Sequence, residues 1–147
     1  MKMEFKDFSL FLNHTKVKRF VDDLASGKIM GTKCKKCGLK LYPPRADCPD
    51  CYSSEMEWVE LKTQGKLATF TVVNVPPDRF NTILQMPFSK FRFEPCPIGL
   101  LELENGLRIM GWIPKVNPKE IKVGISLKAE PQILPGGKVT IVFNPVK

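Results

Sequence analysis

The sequence predicts a mainly β protein with N-terminal helices, a rubredoxin-like zinc ribbon and a five-stranded OB-fold barrel. Three observations predict it. Two Cys-x-x-Cys pairs, Cys34/Cys37 and Cys48/Cys51, stand ten residues apart. Five apolar, β-branched runs follow, punctuated by glycine and proline. An apolar stripe of helical spacing precedes them. The expected division is a helical arm over 1–30, a ribbon over 31–62 and an OB-fold domain over 63–147.

The arm is read first. Phe5, Phe8, Phe11 and Leu12 are spaced by threes and fours. Val17, Phe20, Val21 and Leu24 repeat the one-face pattern of an amphipathic helix. Thr15 suits its start and Gly27 its end. A helix this short needs its stripe covered, either by its own chain or by a partner protein. His14, the single histidine, lies at the bend between the two stripes and is assigned no ligand role.

The cysteine pairs carry the clearest chemistry. A tetrahedral zinc site needs four soft ligands, and two short turns supply two each: Cys34, Cys37, Cys48 and Cys51. Gly38 suits a left-handed turn after the first pair, and Pro49 stiffens the second. Four thiolates leave no open coordination position, which points to a structural metal. Two disulfides, a redox dithiol and a rubredoxin-like iron site are the rivals. The pair spacing favours Zn(2+), and the colour of the pure protein separates it from iron. Leu39–Tyr42 and Glu57–Leu61 flank the second pair and read as ribbon strands. Arg45, between the pairs, is either a solvated charge or an anion contact.

The barrel runs follow. Leu67–Val75 reads as a long strand, Ile98–Leu103 as the next. Glu104-Asn105-Gly106 is a tight turn into Leu107–Ile113. Gly124–Glu130 and Lys138–Phe143 complete five, the count of an OB barrel. Gly111 and Gly124 are placed where a small barrel coils sharply. The connection from Pro76 to Pro97 is longer than ordinary loops and mixes phenylalanine with basic residues. Arg79, Phe80, Phe88, Lys90 and Arg92 are its candidate ligand contacts; otherwise its phenylalanines plug the barrel end. Cys96 reads as a small inert thiol.

Bulk numbers bound the function. The 147 residues suit one medium domain or two very small ones, and 43% hydrophobic with 26% charged content is ordinary for a soluble protein. No run approaches a membrane span, and the N-terminus lacks a signal-peptide core. Four cysteines in metal spacing point to a reducing compartment, the cytoplasm. The net charge of +8 is uneven: +2 over 1–30, zero over 31–60 and +6 over 61–147. A nucleic-acid-binding ribbon carries its basic patch on or near itself, so nucleic acid is a less favoured partner. A single-stranded nucleic-acid module nevertheless remains the alternative, since ribbons and OB barrels both serve that purpose.

The order of elements, with Gly-x-Lys-Cys-x-x-Cys-Gly, Tyr-Pro-Pro-Arg, Cys-Pro-x-Cys, Thr-Phe-Thr-Val-Val and Glu-Asn-Gly-Leu-Arg-x-x-Gly, resembles the zinc-ribbon/OB-fold acyl-CoA-associated family found beside thiolases. The resemblance implies a non-catalytic accessory subunit. Its implied partners are a thiolase, a 3-hydroxy-3-methylglutaryl-CoA (HMG-CoA) synthase-like enzyme of the mevalonate pathway, and CoA or acyl-CoA. Other branches of the family accompany aldolases acting on steroid-derived acyl-CoA. The zinc ligands carry over to Cys34, Cys37, Cys48 and Cys51. Residue chemistry agrees, because no Ser/His/Asp or Cys/His set can be assembled.

Overall fold

Leu24 and Phe20 decide where the helix goes. The computed structural model describes residues 18–74, 95–134, 137 and 139–146. Within it, α1 spans Arg19–Ala25. Its C-terminus closes as a Schellman motif: Lys28 N–H donates to Asp23 O at 2.9 Å, and Gly27 N–H donates to Leu24 O at 3.0 Å. Gly27 supplies the left-handed residue this closure needs, with φ of +90°. Thr15 and Val17, expected at the helix start, lie outside the described residues, as do His14 and the earlier phenylalanines. Leu24 is buried and Phe20 packs beside it, so this stripe is covered largely by its own chain. Val21 is the exception, 57% exposed.

Three strands form the ribbon sheet: β1 (Met30–Cys34), β2 (Lys40–Leu41) and β3 (Met56–Glu60), in the order β2-β1-β3, all antiparallel. The flanking strands lie where the sequence places them. The central strand β1 was not expected. Its Met-Gly-Thr-Lys-Cys carries neither a β-branched run nor alternation, and it is fixed by partners on both edges. Gly31 is required there, since a Cβ would sit 2.7 Å from Leu41 O.

The barrel has five strands: β4 (Gln64–Val73), β5 (Cys96–Leu103), β6 (Arg108–Trp112), β7 (Ser126–Ile133) and β8 (Val139–Pro145). It closes in the order β4-β5-β6-β8-β7, and β6 meets β8 in parallel at Trp112 and Val142. In barrel numbering this is first-second-third-fifth-fourth, the OB-fold arrangement. A bulge between Leu67 and Thr69 bends β4 from one sheet face into the other. The β5–β6 turn differs in detail from the expected one. Of its residues only Gly106 takes positive φ (+76°), and Leu103 N–H donates to Leu107 O, which makes a three-residue loop with a glycine bulge.

Gly111 and Gly124 do different work. Gly124 is a turn residue with φ of +91°, and a Cβ there would meet nothing. Gly111 faces the core, where a Cβ would lie 2.6 Å from Phe143 Cε1. It makes room for an aromatic ring.

The core is continuous. Leu67, Leu101, Ile109, Ile113, Leu127 and Phe143 fill the barrel, and Leu24, Ile29 and Leu61 extend the same cluster toward α1 and the ribbon. Ala129 N–H also donates to Thr63 O, tying the ribbon–barrel connection to β7. No helix among the described residues is long and apolar enough to cross a membrane.

Candidate metal centre

Two knuckles of the same build face each other. In the first, Cys34 N–H donates to Leu39 O and Gly38 N–H donates to Cys34 O, both at 2.9 Å. In the second, Cys48 N–H donates to Ser53 O at 2.9 Å and Tyr52 N–H donates to Cys48 O at 3.0 Å. The residue after each second cysteine takes positive φ: Gly38 at +78° and Tyr52 at +57°. Glycine meets that requirement freely; tyrosine meets it under strain. Tyr52 projects outward, 85% exposed.

Neighbouring structure holds the knuckles in place. Lys35 N–H donates to Glu55 O, which pins the first knuckle to the chain beyond the second. Thr32 is almost fully buried, and its Oγ1 accepts from Arg45 N–H at 3.0 Å, fixing the loop between them. Arg45 thus contributes its backbone here, while its side chain is exposed. Phe20 meets Tyr42 edge to face at 6.0 Å, and the Arg19 guanidinium lies 5.6 Å over Trp58, so α1 braces the ribbon.

The four sulfurs converge. Cys34 Sγ lies 3.5 Å from Cys51 Sγ, Cys37 Sγ lies 3.5 Å from Cys48 Sγ, and all four ligand atoms fall within 4.8 Å of one another. A zinc–sulfur tetrahedron with bonds of about 2.3 Å has edges of roughly 3.8 Å. The sulfur cage therefore fits the ion. Disulfides are excluded, because bonded sulfurs lie at about 2.05 Å.

The cage is built to hold charge. Backbone N–H groups of Cys37 and then Lys36 point at the Cys34 sulfur and lower its thiol to about 6, against the opposing pull of desolvation. For Cys37 the Leu39 N–H acts downward too, but desolvation and the crowding sulfurs of Cys48, Cys34 and Cys51 outweigh it and push the thiol up to about 12. At Cys51 the downward pull of the Ser53 N–H is likewise overcome, and its thiol is raised. Four thiols this close cannot all ionise unaided; a divalent cation relieves that repulsion. Cys34, Cys37, Cys48 and Cys51 would hold Zn(2+), which would cross-link the two knuckles, and four protein thiolates would leave it no position for substrate.

Among the other expected site residues, Arg79, Phe80, Phe88, Lys90 and Arg92 lie outside the described residues. Cys96 is half-buried, and burial pushes its thiol up, as suits an unreactive thiol. It lines a groove of about 710 Å³ with Pro97, Trp112, Pro114, Lys115 and Pro118. Sequence reading did not single out this groove. The available signal was β5 itself, where Cys96, Ile98 and Leu100 alternate with Pro97, Gly99 and Leu101, leaving neither face polar.

Comparison with known proteins bears on both halves of the chain. Residues 21–57 match the ChsH2 rubredoxin-like zinc ribbon domain, and residues 58–144 match the ChsH2 C-terminal OB-fold domain. A DUF35 domain-containing scaffold protein of Methanocaldococcus jannaschii is 33% identical over 102 residues, covering 69% of this chain and 65% of that protein. The benzoylsuccinyl-CoA thiolase subunit BbsA of Thauera aromatica is 42% identical over 87 residues, 58% of this chain and 51% of that one. The alignment spans about two-thirds of the length of the scaffold relatives, 65% and 66% for the first two. Among solved structures, the Ltp2-ChsH2(DUF35) aldolase superposes with a TM-score of 0.71 at 20% identity, over 86% of this chain and 91% of that one. A DUF35-family protein from Sulfolobus solfataricus superposes with a TM-score of 0.58 at 20% identity, over 91% and 90%. With its zinc ribbon and OB barrel both matched, the chain belongs to the ChsH2 family.

Proposed function

We propose that this protein is a non-catalytic scaffold that binds acyl-CoA and bridges a thiolase to a second acyl-CoA enzyme. The second enzyme is an HMG-CoA synthase, at the entry to the mevalonate pathway in the cytoplasm. The observation that carries this reading is the four-thiolate cage, whose metal position is closed to substrate, on a ribbon whose flanking residues Ile29 and Leu61 share the core of the OB barrel. Relatives named as scaffold proteins and as a thiolase subunit support it. The proposed division is an arm over 1–30, a ribbon over 31–62 and a barrel over 63–147. Cys34, Cys37, Cys48 and Cys51 hold Zn(2+).

Arg79, Phe80, Phe88, Lys90 and Arg92 are proposed as the contacts to CoA. Their guanidinium and ammonium groups suit its phosphates, and their rings suit its adenine. The partner enzyme completes the site, so the isolated chain binds CoA weakly.

Co-expression with a thiolase and an HMG-CoA synthase from the same organism tests the reading. The expected result is one complex on size exclusion, with CoA affinity that falls at least tenfold when Arg79, Lys90 and Arg92 are replaced by alanine. Turnover of an acyl-CoA by the pure protein, or separate elution from both enzymes, defeats it. Tight, steeply salt-dependent oligonucleotide binding favours the nucleic-acid alternative.

A further inference from the structure

The outer surface of β5 and β6 lacks the polarity a solvent-facing barrel wall needs. Pro97, Gly99, Leu101, Ile109, Gly111 and Ile113 point inward and are buried. The alternate residues point outward. They pair across the strands as Ile98 with Trp112 and Leu100 with Met110, beside Thr71 and Thr69 of β4. Met110 is 66% exposed, and the other three apolar residues are only partly covered. The Glu102–Arg108 ion pair, at 3.1 Å, bounds this face at one end. At the other end it runs into the groove lined by Cys96, Trp112 and Lys115. An antiparallel sheet with one face on the core normally presents polar residues on the other. An apolar face continuous with a groove is the layout of an interface centre with an anchor pocket.

We propose that this face and groove dock the thiolase-type partner, through a patch on that enzyme that is apolar at its centre and acidic at its rim. The inference rests on the scaffold reading above. Charge selects the occupant. Lys115 lines the groove with Glu130 within its electrostatic reach, Lys119 and Glu120 follow its lining residue Pro118, and the chain from residue 61 onward carries a net +6. Two copies of a chain carrying +8 repel each other. A different protein with acidic groups around an apolar centre meets the face without that penalty.

The test uses the full chain with the same organism's thiolase-type enzyme. Binding is measured for wild type, Met110→Glu, Lys115→Glu and Val21→Glu, the last on α1, which packs against β1, β7 and β8. Met110→Glu is expected to weaken the complex at least tenfold. Lys115→Glu should weaken it and flatten its salt dependence, while Val21→Glu leaves affinity within about twofold. If wild type forms no complex with the enzyme, the scaffold reading itself fails. If the complex forms and Met110→Glu binds like wild type, the reading stands and this docking surface is wrong. A wild-type homodimer that Met110→Glu dissolves would assign the face to a second copy. A fall of more than about 8 °C in the melting temperature of isolated Met110→Glu would mean that the chain already covers the face itself, which also overturns the proposal.

Discussion

Gly111→Ala tests how the barrel is filled. Gly111 faces Gly99 across β5 and β6, and both point inward. A Cβ on Gly111 would lie 2.6 Å from Phe143 Cε1, 2.9 Å from Cζ and 3.0 Å from Ile141 O. Ordinary carbon contacts settle at about 3.5–4.0 Å, so the ring must retreat by roughly 1 Å. Phe143 is fully buried and has nowhere to go. Overpacking of this kind costs about 1–3 kcal/mol. Loss of glycine's freedom in the unfolded chain returns about 0.4–1 kcal/mol. The net expectation is a destabilisation of about 1–2 kcal/mol, a fall in melting temperature of roughly 3–8 °C for a chain of this size. Urea unfolding of Gly111→Ala, Phe143→Leu and the double variant checks the cause. The smaller side chain should absorb most of the alanine's cost. Equal costs in the two backgrounds, or none in either, would refute the steric argument. Gly99→Ala should cost less, since its nearest atom, at 2.6 Å, is a terminal methyl of Leu67, with an Ile113 methyl and Thr69 O both at 3.2 Å.

Three further outcomes follow from the same geometry. Cys48→Ser should abolish stoichiometric zinc by elemental analysis and release the ribbon amides to hydrogen exchange, while barrel amides stay protected by their own buried residues. Tyr52→Gly should leave stability unchanged or raise it by up to about 1 kcal/mol in urea, because relief of the left-handed strain outweighs or balances glycine's unfolded-state entropy and the ring is almost wholly exposed. Glu130 accepts from Lys128 and Asn144, which hold its carboxyl below the usual range. Its contribution is therefore present above the unfolded value of 4.5 and lost as pH falls through the lower folded value. The stability difference between wild type and Glu130→Gln should vanish across that acid window and persist at neutral pH.

What was legible in the sequence follows from where each signal is local. Cysteine spacing is local chemistry, and it brought four sulfurs to one point. Strand composition is nearly as local, so all five barrel strands appeared within a few residues of their observed ends. Strand β1 was missed because its pairing, with β2 and β3, is carried by partners distant in sequence. The steric role of Gly111 is not legible, because no pattern within β6 announces the Phe143 ring brought in by β8. The β5–β6 outer face needed register as well as composition. Ile98 and Trp112 form a patch only once they are known to stand opposite one another.

The metal and the barrel solve different parts of one problem. A ribbon of about thirty residues encloses too little apolar surface to fold alone, and four thiolates on one ion replace the missing core. On the scaffold role proposed above, such a knuckle, free to swing, would not hold two enzymes at a fixed separation. Leu24, Ile29 and Leu61 remove that freedom by joining the ribbon side to the barrel core, and Phe20 against Tyr42 braces the helix on the ribbon. The β5–β6 face carries neither the zinc ligands nor these joining residues. The proposed docking there would leave the other surfaces of the molecule open to a second partner, as the proposed bridge requires.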